Sequence, residues 1–139
     1  MTAFVRVATD LRLQLASRPG SMASLFAAFD AAGITVHGVC AIGEDDTDAD
    51  HFLVDDPDAA VAAAAHAGAV DVRRRDVLLV NAARAGVTAT EVLQRIAAAG
   101  AGVDLMYLAA SGALVLGAIP LADARAALAT LAEERGLDG

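Results

Sequence analysis

The chain has 139 residues, a formal net charge of −8 and ten cationic residues, all of them arginine. Although 57% of the residues are hydrophobic, no uncharged apolar run reaches the roughly 18 residues that a transmembrane helix needs. The charges of Arg6, Asp10 and Arg12 argue against an N-terminal signal peptide. An acidic chain with few aromatic residues also lacks the positive field and the stacking platforms of nucleic-acid-binding proteins. We therefore predict no nucleic-acid partner, no membrane partner and a cytoplasmic location.

The first predicted elements are a strand, a tight turn and a helix. Residues 10–15 alternate polar and apolar side chains, which is typical of a half-buried strand. Ser17-Arg18-Pro19-Gly20 interrupts this pattern, and Ser21 is a candidate N-cap for the helix that follows. Four apolar residues then mark one face of that helix: Met22, Leu25, Phe26 and Phe29. Gly33 is expected to end it.

The rest of the first half predicts strand, loop, strand and helix. Residues 34–42 favour a strand, residues 44–50 an acidic loop and residues 51–54 a return strand. Asp56-Pro57 is typical of a helix start, and the helix is expected over residues 58–67. The segment 69–80 reads as extended and is long enough to supply more than one strand.

From residue 76 the same order of elements returns. A strand over 76–80 leads into the turn Arg84-Ala85-Gly86, and Thr88 with Glu91 forms a capping-box pattern. The helix closes at Gly100, and strands over 103–109 and 113–119 are joined by a two-residue turn. Pro120 opens the last helix, whose predicted apolar face consists of Leu121, Ala124, Leu128 and Leu131. Residues 17–36 align with residues 83–103, with one extra residue in the second copy. A period of about 66 residues predicts two small α+β domains, over 1–75 and 76–139.

The two copies differ at their ends. The first has a closing strand near residues 70–74, whereas the second ends soon after its last helix, so its closing strand is missing or supplied from elsewhere. Unpaired N–H and C=O groups on such a strand edge need a partner. The extended segment before residue 80 is one candidate, and a second chain is the other. We therefore predict a homodimer.

The strand, Arg18-Pro19-Gly20, the helix and Gly33-Ile34-Thr35-Val36 together resemble the ACT domain. The helical residues Leu25, Phe26 and Phe29 belong to the same match. The second copy departs from the pattern, with Ala85 in place of the proline and Gly102-Val103 in place of Gly-Ile. The resemblance implies an α+β fold of two ferredoxin-like βαββαβ repeats, with antiparallel sheets and helices packed on one side. It also implies a stand-alone, tandem ACT protein that regulates rather than catalyses.

In ACT domains the turn between strand 1 and helix 1 forms one wall of an amino-acid site, where two domains pair. Carried to this chain, the resemblance implies these ligand-binding residues: Ser17, Arg18, Pro19, Gly20, Ser21, Met22 and His37, with Arg84 and Gly86 in the second turn. Free N–H groups at a helix N-terminus suit a carboxylate, and Gly20 lets the backbone approach it. Ser17 departs from the Asp or Asn common at its position.

Three alternatives stay open. In the first, the junction serves only as a connector, because Pro19-Gly20 is a common turn pair. In the second, the protein is an interaction module that regulates a metabolic enzyme and keeps a vestigial ligand site. A small enzyme on this fold is the third, although no catalytic constellation is found in the sequence.

Other motifs indicate no cofactor and no metal. Residues 46–50 copy half of a calcium loop, but His51 and Pro57 occupy the places of its glycine and glutamate. The three histidines do not share a metal-ligand spacing. The run Arg73-Arg74-Arg75 is expected to pair with carboxylates of the chain itself or of a partner chain.

Overall fold

The computed structural model describes residues 3–42 and 49–139. Its contacts divide the chain into two compact units. Of the described residues, those between 9 and 75 form the first unit, and residues 76–139 together with residues 3–8 form the second. We refer to them as the 9–75 unit and the 76–139 unit. The 46–50 motif falls mostly outside the described residues, although Asp50 itself belongs to a strand.

In chain order the described elements are β1 (Val5–Gln14), α1 (Ser21–Ala31), β2 (Val36–Cys40), β3 (Asp50–Val54), α2 (Pro57–His66), β4 (Val70–Val80), a 3₁₀ turn (Ala83–Ala85), α3 (Ala89–Ala98), β5 (Gly102–Leu108), β6 (Leu114–Ile119) and α4 (Leu121–Glu134).

The 9–75 unit is a four-stranded sheet covered by α1 and α2. Its strand order is β2-β3-β1-β4, and β3 pairs antiparallel with both β2 and β1. Leu11 lies opposite Phe52 across the β1–β3 pair, so both side chains point towards the helices. Phe29 of α1 packs edge-to-face on Phe52, with ring centroids 5.8 Å apart. The core beneath the two helices is formed by Leu11, Leu13, Leu25, Phe29, Ile34, Phe52, Val54, Ala60, Ala64 and Ala69.

The 76–139 unit repeats this arrangement with α3 and α4. Its strand order is β5-β6-β4-β1, and β6 pairs antiparallel with β4 and with β5. The apolar face predicted for the last helix is buried, because Ala124, Leu128 and Leu131 are fully enclosed. They pack in one core with Leu78, Val80, Leu114 and Leu116 of the strands. The α+β, ferredoxin-like fold class with helices on the sheets is confirmed.

Residues 5–8 fill the fourth strand position of the 76–139 unit. Val5 is buried in the core of that unit, and the N–H of Asn81 donates to the carbonyl of Phe4 at 2.8 Å. From Thr9 onward the same strand is the first strand of the 9–75 unit. Likewise, residues 70–75 of β4 are the fourth strand of the 9–75 unit, and residues 76–80 are the first strand of the other. The long strands β1 and β4 therefore each contribute one segment to each unit.

Several expected boundaries are wrong. The first strand begins at Val5, not at residue 10, because its first half is needed to complete the second unit. The hairpin between β5 and β6 has a three-residue loop, since the N–H of Ala109 donates to the carbonyl of Ala113. Asp50 is paired with Leu13 inside a strand and is 6% exposed, so it does not belong to the acidic loop. The Asp56 cap is confirmed, with its carboxylate accepting from the N–H of Ala59.

Candidate functional site

The turn between β1 and α1 leaves the helix N-terminus uncapped by side chains. Gly20, not Ser21, is the N-cap residue, with φ +90° in the left-handed region, and it provides no side-chain hydrogen bond. The expected Ser21 cap is therefore wrong: Ser21 is the first helical residue. Its hydroxyl oxygen is buried and has no hydrogen-bond partner among the described residues. A buried hydroxyl without a partner costs free energy unless another group satisfies it.

A small pocket of about 130 Å³ lies against this turn. It is formed within the 9–75 unit, between the turn and the end of α2. Its described lining residues are Leu15, Ala16, Arg18, Pro19, Gly20, Ser21, Ser24, Ala67 and Gly68. The geometry thus combines a guanidinium-bearing residue, a buried hydroxyl and a helix N-terminus around one cavity.

The structure brings four of the expected residues to this pocket and leaves three outside its lining. Arg18, Pro19, Gly20 and Ser21 line it. Ser17 is exposed on the turn, and Met22 is half-buried against the core of the unit. His37 is exposed on β2, next to an irregularity in the β2–β3 pairing.

The second turn borders a larger cavity of about 310 Å³ within the 76–139 unit. Its described lining residues are Phe4, Asn81, Arg84, Ala85, Gly136, Leu137 and Asp138. Of the two residues expected there, Arg84 lines the cavity and Gly86 does not. Gly86 instead ends the 3₁₀ turn, with φ +71° and its N–H donated to the carbonyl of Ala83.

The helix that follows the second turn is capped. The hydroxyl of Thr88 accepts a hydrogen bond from the N–H of Glu91 at 3.1 Å, as the capping-box pattern predicts for that half of the motif. The two turns therefore differ chemically. No side chain caps the N-terminus of α1, whereas the Thr88 hydroxyl satisfies one N–H group at the N-terminus of α3.

Sequence reasoning missed the far wall of each cavity. In the 9–75 unit this wall is Ala67 and Gly68, after α2; in the 76–139 unit it is residues 136–138, after α4. Each segment contains a glycine with positive φ shortly after its helix: Gly68 after α2 and Gly136 after α4. These glycines are visible in the sequence, and the repeat places them at equivalent positions. Their contact with the turns depends on how α2 and α4 pack on the sheets, which the sequence pattern does not indicate.

Charged side chains of the 9–75 unit pair with one another. The carboxylate of Asp71 accepts hydrogen bonds from Arg12 and from Arg73, each at 2.8 Å. These bonds hold the pKa of Asp71 below its ordinary value, and the bond from Arg12 has the larger effect. Arg74 pairs with Asp58. The expectation that Arg73 and Arg74 pair with the chain's own carboxylates is thus confirmed.

The buried carboxylate of Asp10 lies 2.8 Å from Nδ1 of His51. Within residues 3–42 and 49–139, no group of three or more His, Cys, Asp or Glu side chains is arranged to hold a metal ion. In the same ranges, no helix combines the length and the apolar character needed to cross a membrane.

Solved structures share this fold. The ligand-free regulatory subunit of aspartate kinase from Thermus thermophilus matches with a TM-score of 0.61 and 20% identity, over 93% of this chain and 95% of that one. The corresponding subunit from Thermus flavus matches with a TM-score of 0.58 and 17% identity, over 92% and 96%. Protein BT0572 from Bacteroides thetaiotaomicron gives a TM-score of 0.73 at 19% identity, over 98% and 93%.

No protein-family profile matches the chain, and no curated protein matches it either. At these sequence identities the structural likeness establishes the fold alone. That fold is the one of ACT-domain regulatory proteins, so the resemblance seen in the sequence is confirmed at the level of the fold.

Proposed function

We propose that this protein is a non-catalytic regulatory protein that binds an amino acid, or a similar small metabolite, at the turn between β1 and α1. One observation carries the proposal: no side chain caps the N-terminus of α1, and Ser21, whose hydroxyl is buried and unpartnered among the described residues, lines the pocket beside it. Unpaired N–H groups and the positive end of the helix dipole favour a carboxylate there. The fold shared with regulatory subunits of aspartate kinase agrees with a regulatory role.

The pocket size limits what the turn holds by itself. About 130 Å³ is well below the roughly 300 Å³ at which typical small-molecule sites begin. The pocket therefore suits the carboxylate end of a ligand, held by backbone N–H groups, the Ser21 hydroxyl and the charge of Arg18. The rest of the ligand would extend outward, towards a paired ACT-type unit. His37 and Met22 belong to this proposal as residues near the ligand's outer part.

We further propose that two chains associate as a homodimer and complete the site between them. Light scattering at micromolar concentration tests this directly, because a dimer has twice the 14.0 kDa chain mass. A mass equal to one chain would contradict it. The turn would then bind its ligand within a single chain or not at all.

The experiment for ligand binding is a thermal-shift screen against the twenty standard amino acids and related metabolites. A ligand at a hundredfold excess over its Kd stabilises the folded state by about 2.7 kcal/mol, which shifts the Tm of a domain this small by several degrees. The matched variants are Gly20→Trp and Gly112→Trp. Both glycines have nearly the same positive φ, +90° and +89°, and open space where a Cβ would lie, so the backbone strain is matched. A selective hit that is lost only in Gly20→Trp supports the site; a flat screen contradicts it.

A second candidate function is protein binding by an exposed sheet edge. Met106 and Leu108 of the edge strand β5 are 45% and 61% exposed. An apolar edge strand is a surface that another chain can extend, and a metabolic enzyme regulated by this protein is the proposed partner. A pull-down that enriches one metabolic enzyme, is unchanged by Gly20→Trp and is lost in Leu108→Arg would favour this function over ligand sensing.

A further inference from the structure

We propose that the exposed sides of α1 and α2, in the 9–75 unit, bind a second copy of this chain. We call this surface the α1–α2 face, and its exposed alanines are Ala23, Ala27, Ala31, Ala62 and Ala65. The inference rests on the proposed homodimer and deepens it, because it assigns the surface through which the two chains meet and the symmetry that relates them.

The centre of the α1–α2 face carries no charge. Among its 11 residues α1 has one charged side chain, Asp30, which lies in its last turn. The charged residues of α2 are Asp58 in its first turn and His66 at its last position, with only alanine and valine between them. A helix without a charged side is typical of one that protein covers all round. The core of the 9–75 unit covers one side of these helices, so the exposed side is the one left for a partner.

The corresponding helices of the 76–139 unit show the contrast. Arg95 of α3 pairs with Glu134 of α4, and Arg135, which follows α4, pairs with Glu91 of α3. These helices carry the charged side chains that are typical of a solvent-facing side. Both helix pairs cover a sheet in the same way, so the fold itself does not require an uncharged outer side on α1 and α2.

The helices α1 and α2 run antiparallel, so the α1–α2 face has two distinct ends. At one end, the turn before α1 and the residues after α2 line the same pocket. At the other end, the N–H of Thr35, after α1, donates to the carboxylate of Asp55, before α2, at 3.2 Å. The first end is called the turn end below, and the second is called the acidic end.

The charges at the two ends are opposite in sign. Among the described residues, the turn end carries the exposed basic residues Arg18 and His66. The acidic end carries the exposed carboxylates of Asp30, Asp56 and Asp58. Asp58 already pairs with Arg74, whereas Arg18 and Asp30 make no ion pair within the part of the chain that the structure describes. Both ends therefore offer charge to a partner.

This distribution of charge selects one symmetry. A two-fold axis along the helices would place each turn end on the turn end of the other copy, which brings like charges together. A two-fold axis across the helices places each turn end on the acidic end of the other copy, so that opposite charges meet at both ends at once. The alanines between the ends let the helices of the two copies approach to the lower part of the usual interaxial range of roughly 8–10 Å. The face is thus complementary to an inverted copy of itself, which identifies a second copy of the chain as the partner.

The test measures the monomer–dimer Kd of the full-length protein by sedimentation equilibrium. Ala27→Glu places a charge in the centre of the α1–α2 face, and Gln94→Glu adds the same charge to α3. The two positions are matched, because each is exposed and lies two residues after a buried one, Leu25 or Val92. We expect Ala27→Glu to raise the Kd at least tenfold, since the interface would bury an unpaired charge. Gln94→Glu is expected to leave the Kd unchanged.

A second variant guards against misfolding of the first. Ala62→Glu makes the same change on α2, at another exposed position, and is expected to raise the Kd by a similar factor. Circular dichroism shows whether each variant is folded before its Kd is compared with that of the wild type.

A charge reversal tests the proposed symmetry. His66→Glu makes the turn end more acidic and is expected to raise the Kd about two- to fivefold, as for other exposed charge pairs. Adding Asp30→Lys reverses the sign at the opposite end as well and is expected to bring the Kd back towards the wild-type value. A double variant that dimerised no better than His66→Glu would show that these two ends do not meet, and would overturn the proposed symmetry.

The outcomes separate this inference from the proposed homodimer. A wild-type dimer that Ala27→Glu weakens and Gln94→Glu does not weaken supports the α1–α2 face. A dimer that both variants weaken equally, or that neither weakens, overturns this face as the contact and leaves the homodimer in place. A wild-type mass of one chain throughout the micromolar range contradicts both proposals, and ligand binding at the first turn is then decided by the thermal-shift screen alone.

Discussion

Gly20 sets the chemistry of the first turn through one backbone dihedral. Its φ of +90° turns the chain directly from strand to helix, so no side chain stands in the N-cap position to satisfy the first N–H groups of α1. A Cβ at this position would meet nothing within 4 Å, so the cost of an alanine here lies in the dihedral alone. The first turn is therefore a position where the effect of conformation can be measured separately from packing.

The first prediction compares Gly20→Ala with Gly102→Ala. An L-residue in the left-handed region costs roughly 1–2 kcal/mol, so Gly20→Ala is expected to lower the free energy of unfolding by about that amount. Gly102 has open space around it and no positive φ, so Gly102→Ala is expected to be neutral or to stabilise by up to about 1 kcal/mol. Urea denaturation measures both. Equal losses in the two variants would show that Gly20 is not held in the left-handed region.

The pKa of Asp71, in the 9–75 unit, departs from its ordinary value. Hydrogen bonds from Arg12 and then Arg73 lower its pKa in the folded state. A carboxyl with a lowered folded pKa contributes stability that is complete above its unfolded pKa. That contribution disappears as the pH falls from the unfolded value through the lowered folded one.

The second prediction concerns Asp71→Asn. Asp71 has φ +52°, a conformation that asparagine also tolerates, so the variant removes the charge without adding backbone strain. Wild type is expected to be more stable than the variant at neutral pH. The difference is expected to shrink as the pH falls below the ordinary carboxyl pKa, 3.8, and to vanish below the lowered pKa that Asp71 has in the folded state. Urea denaturation at several pH values measures it. Asp30→Asn, at an exposed site on α1, serves as the control; a difference that persisted in acid would contradict the ion-pair explanation.

At the scale of elements, the sequence predicts helices, which depend on local residue spacing, but misses strand positions that depend on pairing with distant residues. Apolar spacing predicts α1 and α4 well, since each helix buries one stripe of its own residues. The first half of β1 is missed because its place is set by pairing with β4, more than seventy residues away in the chain. The prediction of Ser21 as the N-cap is wrong for a different reason. Both Gly20 and Ser21 suit the start of a helix, and Gly20 occupies the N-cap position with its positive φ.

The candidate sites divide in the same way. The two turns stand out in the sequence because Arg18-Pro19-Gly20 and Arg84-Ala85-Gly86 interrupt clear patterns. The opposite walls, Ala67 with Gly68 and residues 136–138, carry no comparable signal. They become part of a cavity only after α2 and α4 have packed on their sheets. The turn that forms one wall of each candidate site could therefore be predicted, and the opposite wall required the fold.

The third prediction tests the strand that completes the 76–139 unit. Phe4 is 3% exposed and belongs to the core of that unit. Phe4→Ala is expected to lower the free energy of unfolding by about 3–5 kcal/mol, as for other buried aromatic residues. Val70→Ala is the control, because Val70 is 60% exposed in the other shared strand, and it is expected to change stability by no more than about 0.5 kcal/mol. A loss below about 1 kcal/mol for Phe4→Ala would mean that the N-terminal residues do not close this core.

At the scale of the whole molecule, the two repeats exchange strands along one chain. The fourth strand of the 76–139 unit, residues 5–8, precedes the entire 9–75 unit in the sequence. The edge that first suggested a second chain is thus filled from within the chain, and the proposed homodimer rests on the ACT resemblance instead. The 76–139 unit is therefore a complete ferredoxin-like repeat whose pieces are joined in permuted order.

This permuted order gives the last prediction. The N–H of Phe4 and the carbonyl of Asp138 are 2.6 Å apart, so a short Gly-Ser linker from Gly139 to Ala3 would connect the two pieces without strain. A chain of residues 76–139, the linker and residues 3–8 is expected to unfold cooperatively in urea. The fragment 76–139 alone is expected to lack a cooperative transition, because its β4 edge is unpaired and its core is open on the side that Val5 covers. Val5→Asp in the permuted chain places a charge in that core and is expected to abolish the transition again. A fragment that folded equally well without residues 3–8 would show that the shared strand is an addition to the repeat and not its closing strand.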